Sequence, residues 1–188
     1  MRKREDIILW DNFRNGDKKA YSRIYELYAQ EVFSYGMLFS TNHELVQDCL
    51  HDVFVKIYCN REKLSAVDNI KLYLFVAMKN QLFDIFCKDK ALYHNETVEP
   101  VFTLELTVED EFIYREEQQY LTERIQQMLE SLTPRQKEVL YYRYIENLSY
   151  EEIEKIMQMN YQSILNLIQR SLKKLRTSFN KSSIYRLY

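Results

Sequence analysis

The chain has 188 residues, of which 46% are hydrophobic, 29% charged and 14% aromatic, and its formal net charge is −2. That balance excludes intrinsic disorder and excludes overall basicity as a source of nucleic-acid affinity. Only two glycines (Gly16, Gly36) and two prolines (Pro100, Pro134) occur, too few for the turns of a β-rich or doubly wound fold, so an all-α protein of long helices is expected.

The N-terminus, "MRKREDIILWDNF", interrupts its apolar part with carboxylates and does not read as a signal peptide. No apolar run approaches the roughly 20 residues of a membrane span. Cys49, Cys59 and Cys87 lack CxxC spacing, which suits reduced thiols and a cytoplasmic setting. "DKKAYSRIYELYAQEVFSYGMLF" places Tyr21, Ile24, Tyr25, Tyr28, Val32 and Phe33 at three- and four-residue steps, the stripe of an amphipathic helix. "NHELVQDCLHDVFVKIY" repeats the pattern with Leu45, Val46, Cys49, Leu50, Val53, Phe54 and Ile57, and its opposite face carries Asp48, Asp52 and Lys56. After the polar stretch "CNREKLSAVDN", a third long helix, "IKLYLFVAMKNQLFDIFCKDK", is apolar on most sides and is expected to be largely buried.

Residues 91–117 break the rhythm with Pro100, β-branched residues and many acids, and they read as a linker. At about 25–30 residues, extended at roughly 3.3 Å each, it could span much of a large partner. A structureless loop of that length inside one domain is unusual, so two lobes are expected, 1–90 and 118–188. Charge is segregated along the same lines. Residues 1–90 carry 14 basic and 13 acidic side chains; residues 94–123 hold nine carboxylates against Arg115; from Lys155 onward there are seven cations and no Asp or Glu. Different parts are therefore expected to meet different partners.

The second lobe opens with the helical "EQQYLTERIQQMLESL". "TPRQKEVLYYRYIEN" follows with Thr133 as N-cap, Pro134 in the first turn and Gln136 completing a capping box. "SYEEIEKIM" has a second capping box, Ser149 with Glu152, and after "QMN" a last helix begins with Asn160 as its cap. Helices over 149–157 and 161–176 joined by three or four residues have the dimensions of a helix-turn-helix. Ile164, Leu167, Ile168, Leu172 and Leu175 share one face, which leaves Gln162, Ser163, Asn166, Gln169, Arg170, Lys173 and Lys174 outward. Asn, Gln and Arg suit base edges, and cations in the last turns suit phosphates. A basic helix end is also common on ordinary hairpins, so spacing alone leaves DNA binding and a plain helical hairpin both open.

These residues resemble the bacterial sigma factors, which direct RNA polymerase to promoters. "LESLTPRQKEVLYYRYIENLSYEEIEKIMQMNYQSILNLIQRSLKKLR" is similar to their region 4, which reads the −35 element. "FRNGDKKAYSRIYELY" is similar to the first helix of region 2, "LVQDCLHDVFVKIY" to the helix that docks on the polymerase clamp, and "LYLFVAMKNQLFDIFCK" to the helix that opens the −10 element. Regions 2 and 4 joined by a plain acidic linker resemble the extracytoplasmic-function (ECF) subgroup. The chain departs from the family pattern at His51, Tyr73, Cys87, Glu154 and Leu165, where glutamine, tryptophan, a basic residue, a small residue and a cation are more usual.

The resemblance implies −35 contacts by the outward residues of the last helix. It implies −10 contacts by Tyr73, Lys79, Asn80, Asp84 and Lys88, with the base pocket where "NREKLSAVDN" meets the third helix. Docking on the polymerase clamp would fall to Asp48, His51, Asp52 and Phe54; the implied partners are core RNA polymerase through its clamp and flap, and promoter DNA. Asp48 and Asp52 also read simply as a solvated helix face. An anti-sigma factor covering regions 2 and 4 is a common partner in the subgroup and a candidate here. No Gly-rich phosphate loop, HExxH or nucleophile-base pair occurs, so neither an enzyme nor a bound metal or other cofactor is expected. The rival readings are a stand-alone helix-turn-helix regulator, a helical adaptor that does not bind DNA, and a DNA-processing enzyme carrying this module.

Overall fold

The structure, a computed structural model, describes residues 2–93, 101–104 and 124–184. Among the described residues all regular structure is helical, and two compact units form, Met1–Val101 and Phe102–Tyr188.

The first unit packs four helices: α1 (Arg2–Arg14), α2 (Lys18–Met37), α3 (His43–Asn60) and α4 (Ile70–Tyr93). Their starts follow local chemistry. Gly16 turns the chain at φ 94°, which an L side chain would resist. The Asp17 carboxylate then accepts from the Lys19 amide at 2.8 Å to cap α2. Asn42 caps α3 by accepting from the Leu45 amide at 3.1 Å, and Asn69 serves α4 by accepting from the Leu72 amide at 3.0 Å. The stretch "FRNGDKKAYSRIYELY", similar as a sequence to one helix, thus spans the end of α1, a glycine turn and the start of α2.

The buried face of α2 is Ala20, Ile24, Tyr28, Val32, Tyr35 and Gly36. Tyr25, expected in the apolar stripe, is instead 47% exposed and lays its ring 4.8 Å from that of Phe54. Helix α3 buries Val46, Cys49, Leu50, Val53, Phe54 and Ile57. Helix α4 contributes Ile70, Leu72, Leu74, Phe75, Met78 and Leu82, as its all-round apolar character demands. The Tyr35 and Phe75 rings stack in parallel with centroids 4.0 Å apart. Trp10 of α1 is fully buried between Phe13 and Tyr73, and its indole N–H donates to the Ser65 carbonyl at 2.9 Å. Tyr28 donates to the buried Asp6 carboxylate at 2.7 Å, which ties α1 to α2.

In the second unit residues 124–130 are helical (α5). The rest of the first helix expected there lies outside the described residues. Helices α6 (Pro134–Leu140), α7 (Tyr150–Met157) and α8 (Tyr161–Ile184) follow. Both expected capping boxes form in full, at Thr133 with Gln136 and at Ser149 with Glu152. The sequence stripe through "YYRYIEN" predicts continuous α-helix, but α6 ends in a π turn over Tyr141–Ile145, closed by the Glu146 amide on the Tyr141 carbonyl at 3.0 Å. With that widening Tyr142 is fully buried and donates to the buried Glu138 carboxylate at 2.9 Å, while Tyr144 and Ile145 are exposed. The core is completed by Leu132, Val139, Leu148, Ile153, Ile156, Met157, Ile164 and Ile168.

Most of the linker expected over 91–117 lies outside the described residues. Two of its described parts depart from a plain linker: α4 continues to Tyr93, and Phe102 is 2% exposed, its ring 5.5 Å from that of Tyr141 and so part of the second unit's core.

At Gly36 helix α2 approaches α3 and α4 closely. A Cβ there would lie 2.4 Å from the Met78 Cε and 2.8 Å from a Val46 Cγ. The methionine end can move, but the β-branched valine is stiff. Gly36→Ala is expected to destabilise by about 1–3 kcal/mol, as overpacked cores do, measured by urea unfolding. Burial pushes the Cys49 thiol up to about 11, with the carboxylates of Asp52 and Asp48 adding to the effect. The folded state therefore holds this proton above the pH where the unfolded thiol loses it, and the associated stability is lost as pH rises from about 9 to 11. At pH 8 a maleimide should label the exposed Cys59 and Cys87 in the native protein and reach Cys49 only on unfolding, read by mass spectrometry.

Candidate nucleic-acid interface

Helix α8 is two-sided because its apolar positions recur at helical spacing. Ile164 is fully buried, Ile168 is 5% exposed, and Ser171 is fully buried with its hydroxyl donating to the Leu167 carbonyl at 2.7 Å. Burying that stripe turns the opposite one to solvent. Gln162, Asn166, Gln169, Arg170, Lys173 and Lys174 are all exposed, and Ser163 is half-buried. Asn160 caps the helix as expected, accepting from the Ser163 amide at 2.8 Å. Gln162 donates to the Asn166 side-chain oxygen at 3.2 Å, so two amides form a row one turn long. Among the described residues no carboxylate pairs with Arg170, Lys173 or Lys174. Their charge is available to an anion, and because α8 runs on to Ile184 it lies at mid-helix and not in a last turn as the sequence suggested.

The helix before it is held at both ends. At the start of α7 the Ser149 hydroxyl accepts from the Glu152 amide at 3.2 Å, and the Glu152 carboxylate accepts from the Ser149 amide at 2.9 Å. The same terminus lowers the Glu151 carboxyl below its ordinary range, through its own backbone amide and the Ser149 hydroxyl. At the far end Gln158 takes the left-handed conformation at φ 52° and turns the chain into α8. Arg143 joins the π turn to α7. Its guanidinium donates to the Leu148 carbonyl at 2.9 Å and lies 4.7 Å from the centre of the Tyr150 ring, which meets Tyr161 edge-on at 5.3 Å. Sequence reasoning passed over Arg143, Tyr150 and Tyr161. The arginine gave no signal, since its partners are a backbone carbonyl and a ring seven residues away.

In the first unit, α3 and α4 with the preceding loop enclose a pocket of about 230 Å³. Tyr73, Asn80 and Asp84 line it together with Lys56, Asn60 and Gln81. Tyr73 is half-buried, and that burial raises its phenol above the ordinary value. Lys79 does not join them: it lies on another side of α4, its ammonium 5.8 Å and 5.6 Å from the ring centres of Phe39 and Phe83. Lys88 is exposed one turn beyond Asp84. The loop beside the pocket is anchored by Trp10 through Ser65. Trp10 was missed as a supporting residue, although it is the chain's single tryptophan and stands in an apolar stretch.

Asp48, His51 and Asp52 are exposed on α3. Gln81 of α4 bridges this face, donating to Asp52 at 2.9 Å and accepting from Lys56 at 2.5 Å. Phe54 does not belong with them. At 2% exposure it faces the core, and it offers a partner no surface. Among the described residues no group of three or more His, Cys, Asp and Glu could hold a metal, and no helix is long and apolar enough to cross a membrane.

The capping geometry of α7 makes a direct prediction. Ser149→Ala removes the acceptor for the Glu152 amide and should cost about 1 kcal/mol of stability, read as a lower urea midpoint with unchanged slope.

Residues 122–175, which contain α6, α7 and the recognition-like part of α8, match the family model for Sigma-70, region 4. No curated protein matches the chain by sequence. Among solved structures, the sigma factor RpoE from Bartonella quintana, in complex with the anti-sigma factor NepR, superposes with a TM-score of 0.61 at 16% identity, covering 86% of this chain and 98% of that one. CnrH, solved in complex with the cytosolic domain of CnrY, gives 0.59 at 16% identity, covering 94% and 97%. At such identity the likeness is one of fold, and it extends through both units. The chain thus shares the two-unit helical fold of RpoE and CnrH, and its second unit carries the match to Sigma-70, region 4.

Proposed function

We propose that the chain is a sigma factor of the ECF kind, which binds core RNA polymerase in the cytoplasm and directs initiation at its own promoters. The observation that carries this reading is the acid-free polar face of α8, with Arg170, Lys173 and Lys174 exposed, inside the segment that matches Sigma-70, region 4. Residues 1–90 act as region 2, 91–117 as the linker and 118–188 as region 4.

Each step rests on side chains already described. The exposed carboxylates Asp48 and Asp52, with His51, dock on a basic surface of the polymerase clamp. The pocket lined by Tyr73, Asn80 and Asp84 takes an unstacked non-template base of the −10 element. An aromatic wall contributes about 1–3 kcal/mol per base, and the amide and carboxylate supply hydrogen bonds to the base edge. Lys88, exposed one turn beyond Asp84, adds charge toward the strand. In the −35 major groove Gln162, Asn166, Gln169 and Arg170 face base edges, while Ser163, Lys173 and Lys174 serve phosphates. The protein holds melted DNA for another enzyme to copy and needs no cofactor for that. RpoE and CnrH were each solved with a bound partner, NepR being an anti-sigma factor, and by analogy a partner of that kind holds this chain silent.

Reconstitution with purified bacterial core polymerase and a pool of promoter fragments tests the reading. Specific run-off transcripts are expected only when the protein is added. Arg170→Ala should weaken promoter binding by about 1–3 kcal/mol, and Lys173→Ala should lower the salt slope by about one. Asn80→Ala should reduce open-complex formation. A folded protein that neither associates with core polymerase nor yields transcripts would overturn the proposal and favour a stand-alone helix-turn-helix regulator.

A further inference from the structure

Tyr161 and Leu165 stand one turn apart at the start of α8, between two rows of different chemistry. On one side is the buried row of Ile164 and Ile168; on the other is the exposed amide row of Gln162 and Asn166. Tyr161 is 46% exposed and Leu165 is half-buried. The tyrosine is also braced. Its ring meets Tyr150 edge-on at 5.3 Å, and Tyr150 lies 4.7 Å beneath the Arg143 guanidinium, which is tied to the Leu148 carbonyl at 2.9 Å. A ring held from behind by two further groups loses little rotamer freedom on binding, so its exposed area contributes to contact at small entropic cost.

This apolar seam is continuous with a cationic, acid-free face, and that charge selects a polyanion as the occupant. Among the groups of a duplex groove, the one that an apolar side chain recognises is the C5-methyl of thymine, which the major groove alone presents. We propose that Tyr161 and Leu165 form a thymine-methyl contact at the edge of the α8 reading face and so determine specificity at one position of the −35 element. The inference rests on the proposed docking of α8 in that groove. Leucine here, in place of a cation, would exchange a phosphate or guanine contact for a methyl contact. The Tyr161 ring does the work, so its hydroxyl is dispensable.

The probe is the promoter fragment selected in the reconstitution above, with each −35 thymine replaced in turn by deoxyuridine, which deletes only the methyl group. With the wild-type chain and core polymerase, one such replacement should weaken binding about three- to five-fold, the loss expected for one buried methyl. Tyr161→Phe should keep that discrimination, whereas the double variant Tyr161→Ala, Leu165→Ala should bind both fragments alike. Indifference of the wild type to deoxyuridine at every position would overturn the inference, as would a selected element without thymine. Discrimination that survives in the double variant would also overturn it. Arg170→Ala separates the two levels. If it weakens binding while deoxyuridine does not, the methyl contact alone fails; if neither matters, α8 does not face the groove and the wider reading fails with it.

Discussion

The second unit is organised by the burial of one narrow stripe on α8. Ile164, Ile168 and Ser171 fit the core formed by α6 and α7, and once they are seated the helix has no rotational freedom left. Removing two isoleucines from water is worth on the order of 3–6 kcal/mol, more than any surface charge pair in the unit could oppose. The direction in which Arg170, Lys173 and Lys174 point is therefore decided by apolar packing on the far side of the helix. The serine within the stripe does not loosen it, because its hydroxyl is satisfied by the helix's own Leu167 carbonyl.

The same logic, with different actors, shapes the first unit. There α4 is buried nearly all round, and three of its polar side chains meet where α3 leaves a gap: Asn80, Gln81 and Asp84 beside Lys56 and Asn60. The pocket is polar on α3 and α4 and aromatic at Tyr73. Trp10 stands behind that ring and holds the neighbouring loop through Ser65. A helix remote in sequence from the pocket therefore sets the position of one of its walls.

What the sequence allowed to be read, and what it hid, follows from the range of the interactions. Helix existence, the Thr133 and Ser149 capping boxes, the Asn160 cap and the core face of α3 were all visible, since each depends on residues within about one turn. The stripe on α2 was read correctly at Ile24, Tyr28 and Val32 but not at Tyr25, whose ring turns outward onto Phe54. Phe54 shows a different conflict: the resemblance assigns it to a docking surface, while its place in the apolar stripe of α3 puts it in the core, and the core is where it lies. The π turn at Tyr141–Ile145 was hidden because a buried Tyr142–Glu138 pair and a distant Phe102 favour it, and neither is a feature of local periodicity. On α4 the −10 candidates that the resemblance implies do not share one face, since Lys79 departs to the rings of Phe39 and Phe83.

Trp10 has a further consequence, which concerns light rather than binding. It is the only tryptophan among 16 tyrosines and 10 phenylalanines. Excited at its red edge, the protein emits from a single indole, fully shielded from water and in contact with the tyrosine that walls the pocket. The chain thus carries an intrinsic optical reporter whose described partners, Phe13, Ser65 and Tyr73, all lie in the first unit. Its emission colour registers solvent entry around those three residues.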